Sequence, residues 1–289
     1  MSNKWIHITE CPRDAMQGIH AFIPTELKIN YINSLLSCGF SRLDFGSFVS
    51  PKAIPQMQDT AEVISHLQWD TPTQLLAIVA NEKGVEQGLK FDKIAFLGYP
   101  FSVSEQFQQR NTNAGISESK QRLKHIAAEV QGANRHVMVY LSMGFGNPYG
   151  DPWSSHLVID YAKELHETLG ISHFALSDTI GCANPEQVKD LFQQISMELP
   201  QVEIGAHLHA VPVNAKALIA SAIEAGCRYF DTALLGKGGC PMAKDELTGN
   251  LDTFTLLSFC EEQGLETQVQ FPHLLACNEM AQRIFKQYH

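Results

Sequence analysis

Eight short β-rich apolar runs recur along the chain, and each is followed by a stretch compatible with a helix. The runs fall at residues 5–10, 42–48, 74–80, 93–98, 136–142, 173–178, 202–209 and 229–235. Between them lie amphipathic patterns, at 25–38, 117–131, 155–168 and 212–225, with apolar residues at helical spacing. Eightfold alternation of strand and helix is what an α/β fold of the (β/α)8 TIM-barrel type requires. A doubly wound sheet fits less well, because it uses about six strands and carries a GxGxxG after the first, which is missing here. Helix starts are expected at "SESK" (from 117), at "NPEQ" (from 184) and at "SPK" (50–52), where a capping side chain precedes an acid or a proline. Residues beyond about 256 read as additional C-terminal helix. With no long linker or charge block, residues 1–289 are expected to form one domain, a barrel over about 5–255 with a helical extension over about 256–289.

The formal charge of −10 disfavours nucleic acid and anionic membranes as partners, since both select a basic surface. No run approaches the length of a membrane span. The seven cysteines (11, 38, 182, 227, 240, 260 and 277) never form a CxxC pair, so neither a disulfide framework nor a structural zinc site is expected. Nor does "MSNKWIHITECPRD" read as a signal or transit segment. A cytoplasmic protein is the expectation.

In a TIM barrel the C-terminal strand ends carry the chemistry. Here they run into "ECPRDAMQG", "LDFGSFVSPK", "LSDTIG", "AHLHA" and "LLGKGGCPMAKDELTGN", so acids, histidines, an arginine and a cysteine are drawn to one rim. The N-terminal strand ends show nothing comparable in the sequence. His207 and His209 lie two apart on one strand and so share a face. They are either buried rings, each with its own partner, or two ligands of one metal ion; the shared ion satisfies both at once. Two imidazoles do not complete a site, so oxygen ligands must come from other strands. Asp14 is the first candidate, although "PRD" also reads as a surface turn with a local ion pair. The glycines around Cys240 read equally as a loop able to close over a site or as a flexible turn with an incidental thiol.

Together "PRDAMQ" (12–17), "SFVSPKAIPQM" (47–57), "GNPYGD" (146–151), "SDTIG" (177–181), "HLH" (207–209) and "GGCP…GN" (238–250) resemble the 3-hydroxy-3-methylglutaryl-CoA lyase family, in order and across essentially the whole chain. "RD" and "HxH" belong to the wider superfamily of metal-dependent lyase and Claisen-type aldolase barrels, whereas "SFVSPK" and the "GGCP" loop are specific to the lyase branch. The resemblance implies that Asp14, His207, His209 and Asn250 hold a divalent cation, Mg2+ or Mn2+. It implies retro-Claisen cleavage of an acyl-CoA to acetyl-CoA and acetoacetate, with Arg13 stabilising the developing charge and Cys240 acting as general acid. Asp44 and Asp178 are the further catalytic candidates, and Gln17, Ser47 and Thr179 are candidate substrate contacts. A homodimer and a place in leucine breakdown or ketone-body formation follow from the family alone. The chain departs from the family pattern at Asp44, where glutamate is usual, and at Ala210, where an aspartate usually follows the second histidine; the Cys240–Asn250 segment is one residue longer than usual. Three other readings stand beside the lyase: cleavage of a related 3-hydroxyacyl-CoA, a Claisen-type synthase, and a non-catalytic barrel binding metal or acyl-CoA.

Overall fold

The computed structural model describes residues 4–68, 70–239 and 248–288. Eight strands, β1 (His7–Glu10), β2 (Arg42–Ser47), β3 (Gln74–Ile78), β4 (Ile94–Ser102), β5 (His136–Ser142), β6 (His173–Asp178), β7 (Glu203–Leu208) and β8 (Tyr229–Thr232), pair in parallel and in chain order. β8 closes on β1 through the register His7↔Tyr229 to Glu10↔Thr232. The result is the expected TIM barrel. The strands read as continuous apolar runs because both faces are covered: one set of side chains meets the helices and the other fills the barrel.

Successive strands are followed by α2 (Thr25–Leu36), α3 (Thr60–Ser65), α4 (Glu82–Gly88), α6 (Ile116–Gly132), α7 (Ser155–Leu169), α8 (Pro185–Glu198), α9 (Pro212–Glu224) and α10 (Thr253–Gln263). Two short helices, α1 (Pro12–Gln17) and α5 (Glu105–Thr112), sit at the C-terminal mouth, and α11 (Phe271–Tyr288) packs outside against α2. Among the described residues no helix is long and apolar enough to cross a membrane.

Several boundaries move from their sequence positions. β4 continues to Ser102, while β8 stops at Thr232 and gives way to a 3-10 turn at Leu234–Gly236. α8 starts as expected, with Asn184 and Gln187 forming a reciprocal capping box and Pro185 at the first position. α6 does not: Gly115 occupies the cap and Ser117 lies inside the first turn. "SPK" is a hydrogen-bonded turn rather than a helix start, with the Ala53 and Ile54 amides donating to the Ser50 carbonyl. The C-terminal tail also divides: α10 is the barrel's eighth helix, and only α11 is extra.

Inside the barrel the two-residue strand period stacks side chains in layers. On β5, His136 lies at the N-terminal end, Met138 and Tyr140 are in the middle, and Ser142 reaches the mouth; on β6 the series is His173, Ala175 and Ser177. Leu76, Ile78 and Phe96 complete the central apolar layer. The N-terminal end, expected to be featureless, holds a polar plug. Arg42 pairs with Glu203 (Nη1–Oε1 2.6 Å) and stacks on Phe96, and the His136 and His173 rings lie 4.9 Å apart, both against Phe96. These residues are 30 or more positions apart in sequence, and only closure of the barrel brings them together.

Candidate active site

The C-terminal mouth is built first by α1. Pro12 opens this helix directly after β1, and the i, i+4 spacing puts Arg13 and Gln17 on one face. Arg13 is 6% exposed. Its Nε and Nη2 grip both oxygens of Asp44 from β2, while Nη1 donates to Asp14 Oδ1 (2.7 Å) and Gln17 Oε1 (2.8 Å). Four of its five N–H groups are thereby engaged, and one on Nη2 is left for a ligand. Burial works against the Arg13 charge, but the carboxylates of Asp44 and Asp14 outweigh it and hold the group cationic. Asp44 is fully buried behind the guanidinium, and burial pushes its carboxyl up to about 6 against the pull of Arg13.

β7 supplies the two histidines, whose rings lie 5.3 Å apart and point the same way, as the alternation rule requires. His207 Nδ1 donates to Asp231 Oδ2 on β8 (3.0 Å), and His209 Nδ1 donates to the Thr179 carbonyl (3.1 Å). Each ring is thus fixed in the tautomer that presents a bare Nε2. His209 Nε2 is buried without a partner. Burial keeps His209 neutral by lowering its pKa to about 4; at His207 burial also lowers the value, but the hydrogen bond and charge of Asp231 more than reverse that. Burial likewise raises Asp14, yet the Arg13 charge and both imidazoles hold its carboxyl below the ordinary range.

Asp14, His207 and His209 each offer a ligand atom within 4.8 Å of the others. Asn250 joins them across 236 residues, its Nδ2 donating to Asp14 Oδ2 (2.6 Å) and to the Lys237 carbonyl (2.8 Å). Its Oδ1 takes no hydrogen bond among the described residues. Gly238 makes this approach possible: at φ +105 a Cβ there would lie 2.3 Å from Asn250 Nδ2 and 3.0 Å from Asp14 Oδ2. Three carboxylates (Asp14, Asp44 and Asp231) against one guanidinium leave the cluster formally negative. That charge, the orphaned imidazole nitrogen and the mixed nitrogen–oxygen donor set fit a divalent cation.

The cluster opens into a cleft of about 140 Å³. Its polar side carries Arg13, Asp14, Gln17, Thr179, His207 and His209, and its other side is apolar, with Val49, Ile54, Ile78, Pro100 and Phe107. Thr179 lines the cleft, with Oγ1 accepting from the Met143 amide.

Two expected site residues face elsewhere. Asp178 follows inward-facing Ser177, so the strand period turns it outward, where its carboxylate accepts from the Cys182 and Ala183 amides (2.9 Å each) and braces the loop before α8. Ser47 donates to the Ile78 carbonyl and accepts from the Val49 amide, stitching β2 to β3 beneath the cleft. Cys240 lies outside the described residues. Sequence reasoning missed Asp231 and Tyr140. A lone aspartate on the last strand carries no motif of its own, but it has the inward parity and follows the His207 register by barrel closure. The Tyr140 hydroxyl is buried without a partner beside His207, ring centroids 5.4 Å apart.

Comparison with known proteins agrees with this geometry. The model of the HMGL-like family matches residues 4–281. The hydroxymethylglutaryl-CoA lyase of Bacillus subtilis is 34% identical over 268 residues, covering 92% of this chain and 88% of that protein. The mitochondrial hydroxymethylglutaryl-CoA lyase of Mus musculus is 32% identical over 279 residues, covering 96% and 84%. Among solved structures, an HMG-CoA lyase from Bacillus subtilis superimposes with a TM-score of 0.91 at 33% identity, covering 98% of this chain and 94% of that one. An HMG-CoA lyase from Acinetobacter baumannii in complex with coenzyme A and 3-methylmalate gives 0.90 at 30% identity, covering 97% and 91%.

Proposed function

The chain belongs to the HMGL-like family, and from that membership we propose that its cleft cleaves 3-hydroxy-3-methylglutaryl-CoA to acetyl-CoA and acetoacetate. The observation that carries the reading is the joining of a carboxylate, two tautomer-fixed imidazoles and a paired arginine at one mouth of the barrel. The coenzyme A bound by the Acinetobacter relative supports a thioester substrate.

Asp14, His207, His209 and Asn250 would hold a divalent cation, Mg2+ or Mn2+, which would supply Lewis-acid polarisation of the substrate's 3-hydroxyl. Loss of the hydroxyl proton to a base lets the bond between C2 and C3 break, leaving acetoacetate and an acetyl-CoA enolate. Arg13 meets the negative charge that moves onto the thioester oxygen, using the N–H that its carboxylate partners leave free. Asp44, buried behind Arg13 and away from the cleft, aims the guanidinium. Gln17 steadies both Arg13 and Asp14. Cys240 delivers the proton that converts the enolate to acetyl-CoA. Cleavage of a related thioester with a bulkier apolar substituent is a second reading, favoured by the wall of Val49, Ile54, Ile78, Pro100 and Phe107.

Purified protein with Mg2+ or Mn2+ is expected to form stoichiometric acetyl-CoA and acetoacetate from 3-hydroxy-3-methylglutaryl-CoA, and a chelator is expected to stop it. A panel of 3-hydroxy-3-alkylglutaryl-CoA thioesters separates the two readings by kcat/KM. Folded, cation-loaded protein that turns over none of these thioesters sinks both.

A further inference from the structure

Away from the mouth, α11 is fastened to the end of α2 by a seam that holds two cysteines against each other. Cys38, two residues beyond α2, and Cys277, within α11, are both fully buried, with sulfurs 3.3 Å apart despite lying 239 positions apart in the chain. Ser34 Oγ lies 3.0 Å from Cys277 Sγ. The Gln270 amide donates to the Cys38 carbonyl (2.6 Å), and His273 Nδ1 donates to the Ser37 carbonyl (2.8 Å). Gly39 permits the closeness: at φ +82 a Cβ there would lie 2.4 Å from the Gln268 carbonyl oxygen.

We propose that Cys38 and Cys277 are a reversible disulfide site that staples α11 to the barrel when the thiol pool becomes oxidising. The sulfurs, already in contact at 3.3 Å, need to close by only about 1 Å to reach bonding distance. Hydrogen bonds from Cys38 and Ser34 outweigh burial and hold Cys277 below the ordinary thiol range, which makes it the attacking sulfur. The oxidant is a small disulfide such as oxidised glutathione. The Cys277 thiolate displaces one glutathione thiol, and Cys38 then attacks the mixed disulfide and displaces the second. Two protein thiols are oxidised, one small disulfide is reduced to two thiols, and the protein's two protons go to those thiols. Both sulfurs are shielded, so the rate is set by local lifting of α11. α11 also packs against Leu234–Gly236, the turn leading to Gly238, so the staple fixes a support of the candidate active site.

The test equilibrates the full chain across a series of reduced-to-oxidised glutathione ratios, followed by acid quenching, alkylation and peptide mapping. Cleavage after Glu266 separates Cys260 from Cys277. A Cys38–Cys277 linked peptide is expected to become the main species at the oxidising end and to revert on reduction, with a Tm about 5 °C higher for the oxidised form. Cys38→Ala and Cys277→Ala are each expected to lose that Tm rise. Recovery of both residues as free thiols throughout, or as separate glutathione adducts, overturns the proposal from the wild-type map alone, whether or not either variant folds.

Discussion

The two mouths of the barrel use nearly the same residue types to opposite effect. At the N-terminal end the formal charges cancel: Arg42 is matched by Glu203, although its Nε has no hydrogen-bond partner, His136 lies against His173, and His7 stacks on Tyr229. At the C-terminal end, among an arginine, three aspartates and two histidines, they do not. Negative charge exceeds positive, the His209 Nε2 has no partner, and one N–H of Arg13 stays free. The reactive mouth therefore differs from the structural one in the charge left unbalanced rather than in composition. An excess of buried charge costs stability, and a site tolerates it only where a ligand restores the balance.

The largest effect that could break this contrast comes from exchanging one histidine at each end. His209→Ala is expected to abolish divalent-cation binding by calorimetric titration and to lower turnover roughly a thousandfold with the fold retained. His136→Ala should leave both within twofold, and equal losses at the two ends would erase the distinction. Next in size, Asp231→Asn unfixes the His207 tautomer without removing a ligand. Cation affinity, followed by Mn2+ electron paramagnetic resonance, should weaken about 10- to 100-fold, whereas an unchanged affinity would reduce Asp231 to packing. At the closed end, Arg42→Met strands Glu203 and should cost about 2 kcal/mol of stability in denaturant titration, with kcat per folded molecule unchanged.

The smallest expected effect concerns an acid beneath the open mouth that takes no part in lining the cleft. Glu10 accepts from the Leu234 amide (2.7 Å) and from the hydroxyls of Thr253 (2.6 Å) and Thr232 (3.1 Å), and burial pushes its pKa from 4.5 up to about 8. A raised folded-state value means that the folded protein binds the extra proton. The associated stability is complete below about pH 4.5 and is lost as the pH rises through 8. Glu10→Gln is therefore expected to flatten the fall in Tm between pH 6 and 8.5. A wild-type profile already flat there would place Glu10 among the ionised groups.

What was legible in the sequence tracks what is local. Eight alternating segments announced the barrel because patterns with periods of 2 and 3.6 are written within a few residues of one another. The shared face of His207 and His209 followed from the same rule. That rule, applied one step further, would have turned Asp178 outward, since Ser177 and Asp178 cannot both face the cleft. The N-terminal plug was illegible because each member sits alone on its own strand, and so was the Asp231 contact, formed across the β7–β8 register. Cys38 and Cys277 likewise carry no local signal of their contact, being 239 positions apart.

The bond between Asn250 and Asp14 also sets an order of events. Asn250 follows Asp14 by 236 positions and comes after both histidines, so a nascent polypeptide carries "PRD" and both imidazoles before the cradle exists. Premature termination upstream of Asn250 should therefore yield fragments unable to retain the cation, whatever helices they contain, and competence should arise only once Asn250 has been added.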